Sequence, residues 1–166
     1  MIVAPVAGQS DKESLEEFHG VKKFLEGECV EVKYLPELDY ELKVQNIDAD
    51  LLLQGDQIAL KRLSEWMPNS YILKLRVIEN VVKGGPVRSS VDKIYPNDSS
   101  TPVRKSKWFA EIRSTNPSEY WAYQTEAKIN SVIIDGRGVN IFASAYYLGL
   151  RRAIEYMAAI CIPDCD

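Results

Sequence analysis

Residues Lys107–Lys128, "KWFAEIRSTNPSEYWAYQTEAK", decide how this chain folds. The first eight, Lys107–Ser114, read as a strand. Asn116-Pro117-Ser118-Glu119 then reads as a helix start: Asn is a good N-cap, Pro is preset for a first turn, and Glu completes a capping-box arrangement. The reading therefore predicts a helix over about 116–128 carrying Tyr120, Trp121 and Tyr123. "INSVIID" (129–135) follows as a strand, and Gly136-Arg137-Gly138 turns it into a last helix at about 140–160. The C-terminal part is expected to be a β-α-β-α unit, whose parallel strands would need a right-handed crossover.

Upstream, residues 83–107 hold two glycines, three prolines and five serines among scattered lysines and arginines. This composition predicts a long, flexible basic loop. Before it, "SYILKLRVIENVV" (70–82) is the strongest strand of the first half. Ala59, Leu60, Leu63, Trp66 and Met67 recur at helical spacing between Gly55-Asp56 and Pro68-Asn69, so a helix is expected there. "CVEVKYL" (29–35) and "YELKVQNI" (40–47) alternate apolar and polar residues and predict a strand pair, with "DADLLLQG" (48–55) as a third strand. Ser10-Asp11-Lys12-Glu13 has capping-box spacing, and Leu15, Phe18, Val21 and Leu25 follow on one face, predicting a helix over 11–26. The fold class that results is α/β (α+β): a mixed sheet with three to four helices in a single compact domain, residues 1–166. The loop at 83–107 would join an acidic N-terminal half to a basic C-terminal half.

With 166 residues, 46% of them apolar and 27% charged, the chain can bury an ordinary core. No secretory signal pattern opens it, and charges at Arg151, Arg152 and Glu155 break its longest apolar run far short of the roughly 20 residues a membrane span needs. A cytoplasmic protein without a membrane partner is expected. Three cysteines (Cys29, Cys161, Cys165) and one histidine (His19) suggest neither a disulfide framework nor a four-ligand zinc site. Asp48, Asp50 and Asp56 could meet a magnesium ion but fit no loop signature, and solvent-facing strand positions account for Asp48 and Asp50. His19 reads as a surface residue. No Ser/His/Asp, Cys/His or H-E-x-x-H arrangement and no nucleotide-binding glycine motif occurs. No catalytic residue, metal or cofactor is assigned.

Charge is unevenly spread. Residues 1–100 carry 12 Lys/Arg against 17 Asp/Glu, whereas residues 101–155 carry 8 against 5, in a chain of net charge −4. Gly136 and Gly138 free the backbone at a strand-to-helix corner, where amides and Arg137 could hold an anion, or where the chain simply turns. Residues 108–152 resemble the core of Alba-type nucleic-acid-binding proteins. Trp108–Ser114 correspond to that family's first strand, Pro117 and Tyr120 to its first helix, and Val132–Asp135 to its second strand. Arg137-Gly138 match its Arg-Gly corner, and Ile141, Ser144 and Arg152 positions of its second helix. The resemblance implies contacts from the corner and neighbouring basic residues to a DNA or RNA backbone.

Together these features nominate Arg88, Arg104, Lys105, Lys107, Arg113, Arg137, Arg151 and Arg152 for weakly sequence-specific nucleic-acid binding without catalysis, with nearby aromatics available for stacking. The competing reading is a small acidic protein-interaction module, an inhibitor or accessory protein. It would dock on a larger protein partner through helix 11–26 and strands 29–47, and self-association is a further alternative. Gly149, a helix-interior glycine, suggests close approach of another backbone or a neighbouring subunit.

Overall fold

The computed structural model describes residues 1–25, 30–83, 103–115, 119–130, 148–156 and 159. Among them, strands β1 (Ile2–Val3), β2 (Lys33–Tyr34), β3 (Tyr71–Lys83), β4 (Val103–Ser114) and β5 (Tyr120–Asn130) form a five-stranded sheet in the order β2-β1-β3-β4-β5. β1 pairs in parallel with β2 and β3, while β3–β4 and β4–β5 are antiparallel. The sheet is mixed, and the α/β class read from the sequence holds.

Helix α1 (Asp11–Leu25) crosses between the parallel strands β1 and β2. Its capping box forms as expected: the Ser10 amide and hydroxyl both donate to Glu13 Oε2, at 3.0 and 2.7 Å, and the Glu13 amide donates to Ser10 Oγ at 3.4 Å. Phe18, Val21 and Leu25 turn inward, and His19 is exposed. Between β2 and β3 the chain runs through a 3-10 turn (Leu35–Leu38) and helices α2 (Asp39–Val44), α3 (Ala49–Gln54) and α4 (Gln57–Trp66). Residues 148–156 are helical (α5).

Period-two alternation divides the apolar residues between two cores, one on each side of the sheet. Val3, Val6, Leu73, Leu75, Trp108, Ala110 and Ile112 pack with Phe18, Val21 and Leu25 of α1 and Leu150, Ala153 and Ile154 of α5. Ile2, Ala4 and Ile72 point the other way, against Leu35, Leu38, Leu42, Ile47, Leu52, Ala59, Leu60 and Leu63 of the α2–α4 layer. Both cores share the one sheet, which makes a single domain.

Several expectations are corrected. The helix expected over 116–128 is strand β5 over its described residues: Trp121, Tyr123, Thr125 and Ala127 turn inward, whereas Tyr120, Ala122 and Gln124 are exposed. Asn116-Pro117-Ser118 lie outside the described residues; on either side of them the Ser114 amide donates to the Glu119 carbonyl at 3.1 Å. The C-terminal β-α-β-α order therefore gives way to an antiparallel β4–β5 pair. Of the elements carrying the Alba resemblance, Trp108–Ser114 keep their strand, while Tyr120 stands on a strand instead of a helix.

Residues 39–44 are likewise helical instead of extended, because Leu38 and Leu42, one turn apart, are the buried pair and Tyr40 and Val44 face solvent. Residues 49–54 are helical because Asp48 caps them, its Oδ1 accepting from the amides of Asp50 and Leu51 at 2.9 and 3.0 Å. Gly55, at φ 82°, ends that helix in the left-handed conformation. Of the strand expected over 29–35, only Lys33–Tyr34 pair among the described residues. At both ends of the basic loop expected from 83 to 107 the chain is strand instead, since Lys83 pairs with Val103 and Lys105 and Lys107 lie inside β4; residues 84–102 lie outside the described residues. The Gly136-Arg137-Gly138 corner, residues 131–135, Arg88 and the three cysteines lie outside the described residues.

Candidate functional site

The nominated cations fall on two sides of the sheet. Lys105, Lys107 and Arg113 alternate with buried Ser106, Trp108, Ala110 and Ile112, so they share the side of β4 that also bears α2–α4. Arg151 and Arg152 sit on α5, across the sheet. Arg151 pairs with Glu155 at 2.7 Å and lies over the ring of Phe24, and Arg152 donates to the Glu126 carbonyl at 3.1 Å. The backbone of Arg104 pairs in β4 between Val82 and Ile129. Arg88 and Arg137 are outside the described residues.

Among the described residues, the helix layer α2–α4 covers β1 and the start of β3 and meets β4 where Gly55 touches Arg113, while Arg76, Tyr120, Ala122 and Gln124 on the same side are exposed. Beyond it, β3, β4 and β5 present an open half whose cross-strand rows follow from the register. Arg76 lies opposite Phe109 and Phe109 opposite Gln124; Lys74 lies opposite Glu111 and Glu111 opposite Ala122; Arg113 lies opposite Tyr120. A bulge between Val77 and Glu79 shifts β3 by one residue, which brings Glu79 opposite Lys107 and onto the same side. Ile78, at the bulge, is exposed.

Charges on this open half are organised into local clusters. Lys105 Nζ lies 2.9 Å from Glu79 Oε2 and 3.0 Å from Glu126 Oε2. Those hydrogen bonds, to Glu79 first and then to Glu126, hold its ammonium above the ordinary lysine pKa. Glu111 Oε1 accepts from Lys74 at 3.0 Å and from Arg113 at 3.3 Å. Lys74 also donates to the Leu53 carbonyl, tying β3 to the end of α3. The Arg113 guanidinium stands 5.0 Å from the Tyr120 ring and rests on Gly55, where a Cβ would fall 2.3 Å from its Nη1. Burial, reinforced by the Glu111 charge, pushes the Tyr120 hydroxyl above its usual pKa.

Arg76 and Lys107 have no carboxylate partner among the described residues, and Arg76 lies 5.4 Å from the centre of the Phe109 ring. Among the residues whose side chains are described, five cations (Lys74, Arg76, Lys105, Lys107, Arg113) against three carboxylates (Glu79, Glu111, Glu126) give this half +2, on a chain of −4. Lys74, Arg76, Glu79 and Glu126 escaped the sequence reading. For Lys74 and Arg76 the signal was present in the alternation of β3, whereas the two glutamates depend on strand pairing.

Asp48 and Asp56, considered for a cation, instead cap α3 and α4; Asp56 Oδ1 accepts from the amides of Ile58 and Ala59. No group of three His, Cys, Asp or Glu residues suited to a metal ion occurs among the described residues. Two shallow hollows border α4, one lined by Gln45, Asn46, Arg62, Glu65 and Trp66, the other by residues from Gln57 to Glu65 with Thr115. No described helix is long and apolar enough to cross a membrane.

No family model and no curated protein matches the chain. Its structure resembles that of lipoprotein GNA1162 from Neisseria meningitidis, at TM-score 0.50 and 9% identity over 96% of this chain and 97% of that one. The hypothetical protein CT253 from Chlamydia trachomatis aligns at TM-score 0.48 and 11% identity, over 96% and 94% of the two chains. At such identities the first likeness speaks for the α/β fold alone.

Proposed function

We propose that the chain is a non-catalytic protein-docking module whose contact surface is the open half of the sheet. The observation that supports this most is the pairing of its cations. Lys105 is held between two glutamates, and Lys74 and Arg113 share a third. A phosphate backbone binds through cations that give up counterions to reach it. Here three of the five cations are already engaged by carboxylates fixed beside them. A surface of alternating charge, with arginines over Phe109 and Tyr120, instead matches the make-up of protein interfaces, which favour arginine and aromatic residues.

Nucleic-acid binding is the second reading, supported by Arg76 and Lys107 flanking the half-buried Phe109, a cation-and-stacking arrangement suited to single strands. Site-specific photocrosslinking in living cells separates the two. A photoreactive residue at Gln124, in the middle of the open half, is expected to give adducts that protease destroys and nuclease leaves intact. Arg76→Glu should abolish them, and the same group at Lys22 on α1 should give none. Nuclease-sensitive adducts, or salt-sensitive gel shifts with DNA or RNA, would replace the docking reading with the nucleic-acid one.

A further inference from the structure

Among the described residues, the side of the sheet that bears both the α2–α4 layer and the open half is a step: one part is raised by a layer of helix, and no described helix lies over the other. Exposed large apolar side chains concentrate there. Tyr40 (76% exposed), Val44 (57%), Leu51 and Ile58 (65%) belong to the helix layer, Tyr120 belongs to the bare half, and Ile78 stands at the bulge on its border. Among the described residues only Leu15 and Tyr156 are exposed large hydrophobics elsewhere, on α1 and α5. Charge divides along the same line. Around the Tyr40–Val44 pair, Glu37, Asp39 and Glu41 outnumber Lys43, giving −2, whereas the described side chains of the bare half carry +2.

We infer that the occupant of the open half is a second copy of this chain, paired about a two-fold axis so that each helix layer rests on the other's bare sheet. This rests on the docking reading of the same surface. A step turned through 180° is complementary to itself: the raised part of each copy fills the low part of the other, and both contacts form at once. Such a contact is isologous and closes as a dimer. Within it the acidic, apolar outer surface around Tyr40 and Val44 meets Phe109 with its flanking Arg76 and Lys107. Apolar residues meet apolar residues, and the carboxylates of Glu37 and Glu41 meet Arg76 and Lys107, the two cations of this half with no ion pair among the described residues. Each copy offers two such contacts, so opposite charges face each other four times across the dimer in pairs of two.

Analytical ultracentrifugation of the purified chain tests this. The wild type is expected to sediment as a dimer whose dissociation constant rises about tenfold between 0.1 and 0.5 M salt, as exposed complementary charges are screened. Arg76→Glu with Lys107→Glu makes the sheet side acidic and should give monomers. Glu37→Lys with Glu41→Lys makes the helix side basic and should do the same. Mixed in equal amounts, these two variants should pair with each other, because in the mixture both contacts are again acid against base.

Circular dichroism establishes that each variant is folded, and the mixture provides a positive signal that misfolding cannot produce. A wild type that remains monomeric up to millimolar concentration, or variants that fail to pair when mixed, would overturn the self-pairing. Protease-sensitive crosslinks from Gln124 in cells would then still uphold docking on a different protein. Nuclease-sensitive crosslinks would remove the docking reading itself.

Discussion

The indole of Trp108 lies so close to Gly149 that a Cβ at that glycine would fall 2.7 Å from Trp108 Cδ1 and 3.1 Å from Nε1. Trp108 is fully buried in β4, and Gly149 is in α5, so this contact sets how closely the last helix approaches the sheet. The missing side chain has a structural cause within the same chain: the approaching element is β4.

Gly149→Ala gains about 1 kcal/mol of helix propensity, but it drives a methyl group into a side chain that cannot move away. Overpacking of this kind costs roughly 1–3 kcal/mol. The expected net effect is a loss of stability of about 1 kcal/mol, read as a lower midpoint in urea. In a Trp108→Phe background the same substitution should cost less, because the smaller ring makes room. Equal costs in the two backgrounds would show that the indole is not the obstacle.

Strand β5 gives a second test through its alternation. Ala127 is fully buried and Ala122 is exposed. Ala127→Lys places an unpaired charge in the core and should cost about 3 kcal/mol or more, while Ala122→Lys should stay within about 0.5 kcal/mol. Thermal melts of the two variants are the measurement. Comparable losses at both positions would contradict the strand register.

What the sequence made legible follows from element length. β3, β4, α1 and α4 each carry their period over enough residues to identify themselves, and β4's alternation already places Lys105, Lys107 and Arg113 on one side. Helix α2 has six residues, fewer than two turns, so Tyr40, Leu42 and Val44 imitate a strand while the decisive pair, Leu38 and Leu42, begins in the 3-10 turn before the helix. In β5 the Asn116-Pro117 signal is ambiguous by nature, because both a helix start and a hairpin connection use it. Trp121, Tyr123, Thr125 and Ala127 alternate visibly, yet the helix-start signal outweighed them. The partners of Lys105 were beyond reach for a different reason. Glu79, opposite Lys107, reaches Lys105 from the adjacent row only because a bulge shifts β3 by one residue, and Glu126 does so only because 120–130 is a strand.

The aspartates of residues 48–56 act as caps, and that role has an energetic signature. Asp48→Ala and Asp56→Ala each remove an acceptor for two helix amides and should cost about 1 kcal/mol. Asp50 has no capping bond and contributes only through its place in the first turn of α3, so Asp50→Ala should cost about 0.5 kcal/mol or less. Urea titrations with and without millimolar magnesium check both points. The ranking should be the same in each, and a magnesium-dependent midpoint that Asp50→Ala abolishes would restore the cation reading.

The capping box at α1 makes stability depend on pH in a defined direction. The Ser10 amide, and after it the Ser10 hydroxyl, donate to the Glu13 carboxylate and hold its pKa below the ordinary 4.5. A group whose folded pKa is depressed stabilises the fold above its unfolded pKa and loses that contribution as pH falls through the folded value. The midpoint difference between wild type and Glu13→Gln should therefore be full at neutral pH and begin to shrink below about 4.5. It should vanish once the folded carboxyl is protonated. Ser10→Ala removes the hydroxyl donor but keeps the backbone amide, so in that background the pH-dependent part of the Glu13→Gln effect should shrink without disappearing. A Glu13→Gln effect that stays constant from pH 7 to pH 3 would mean that the carboxylate's charge plays no part in holding the start of α1.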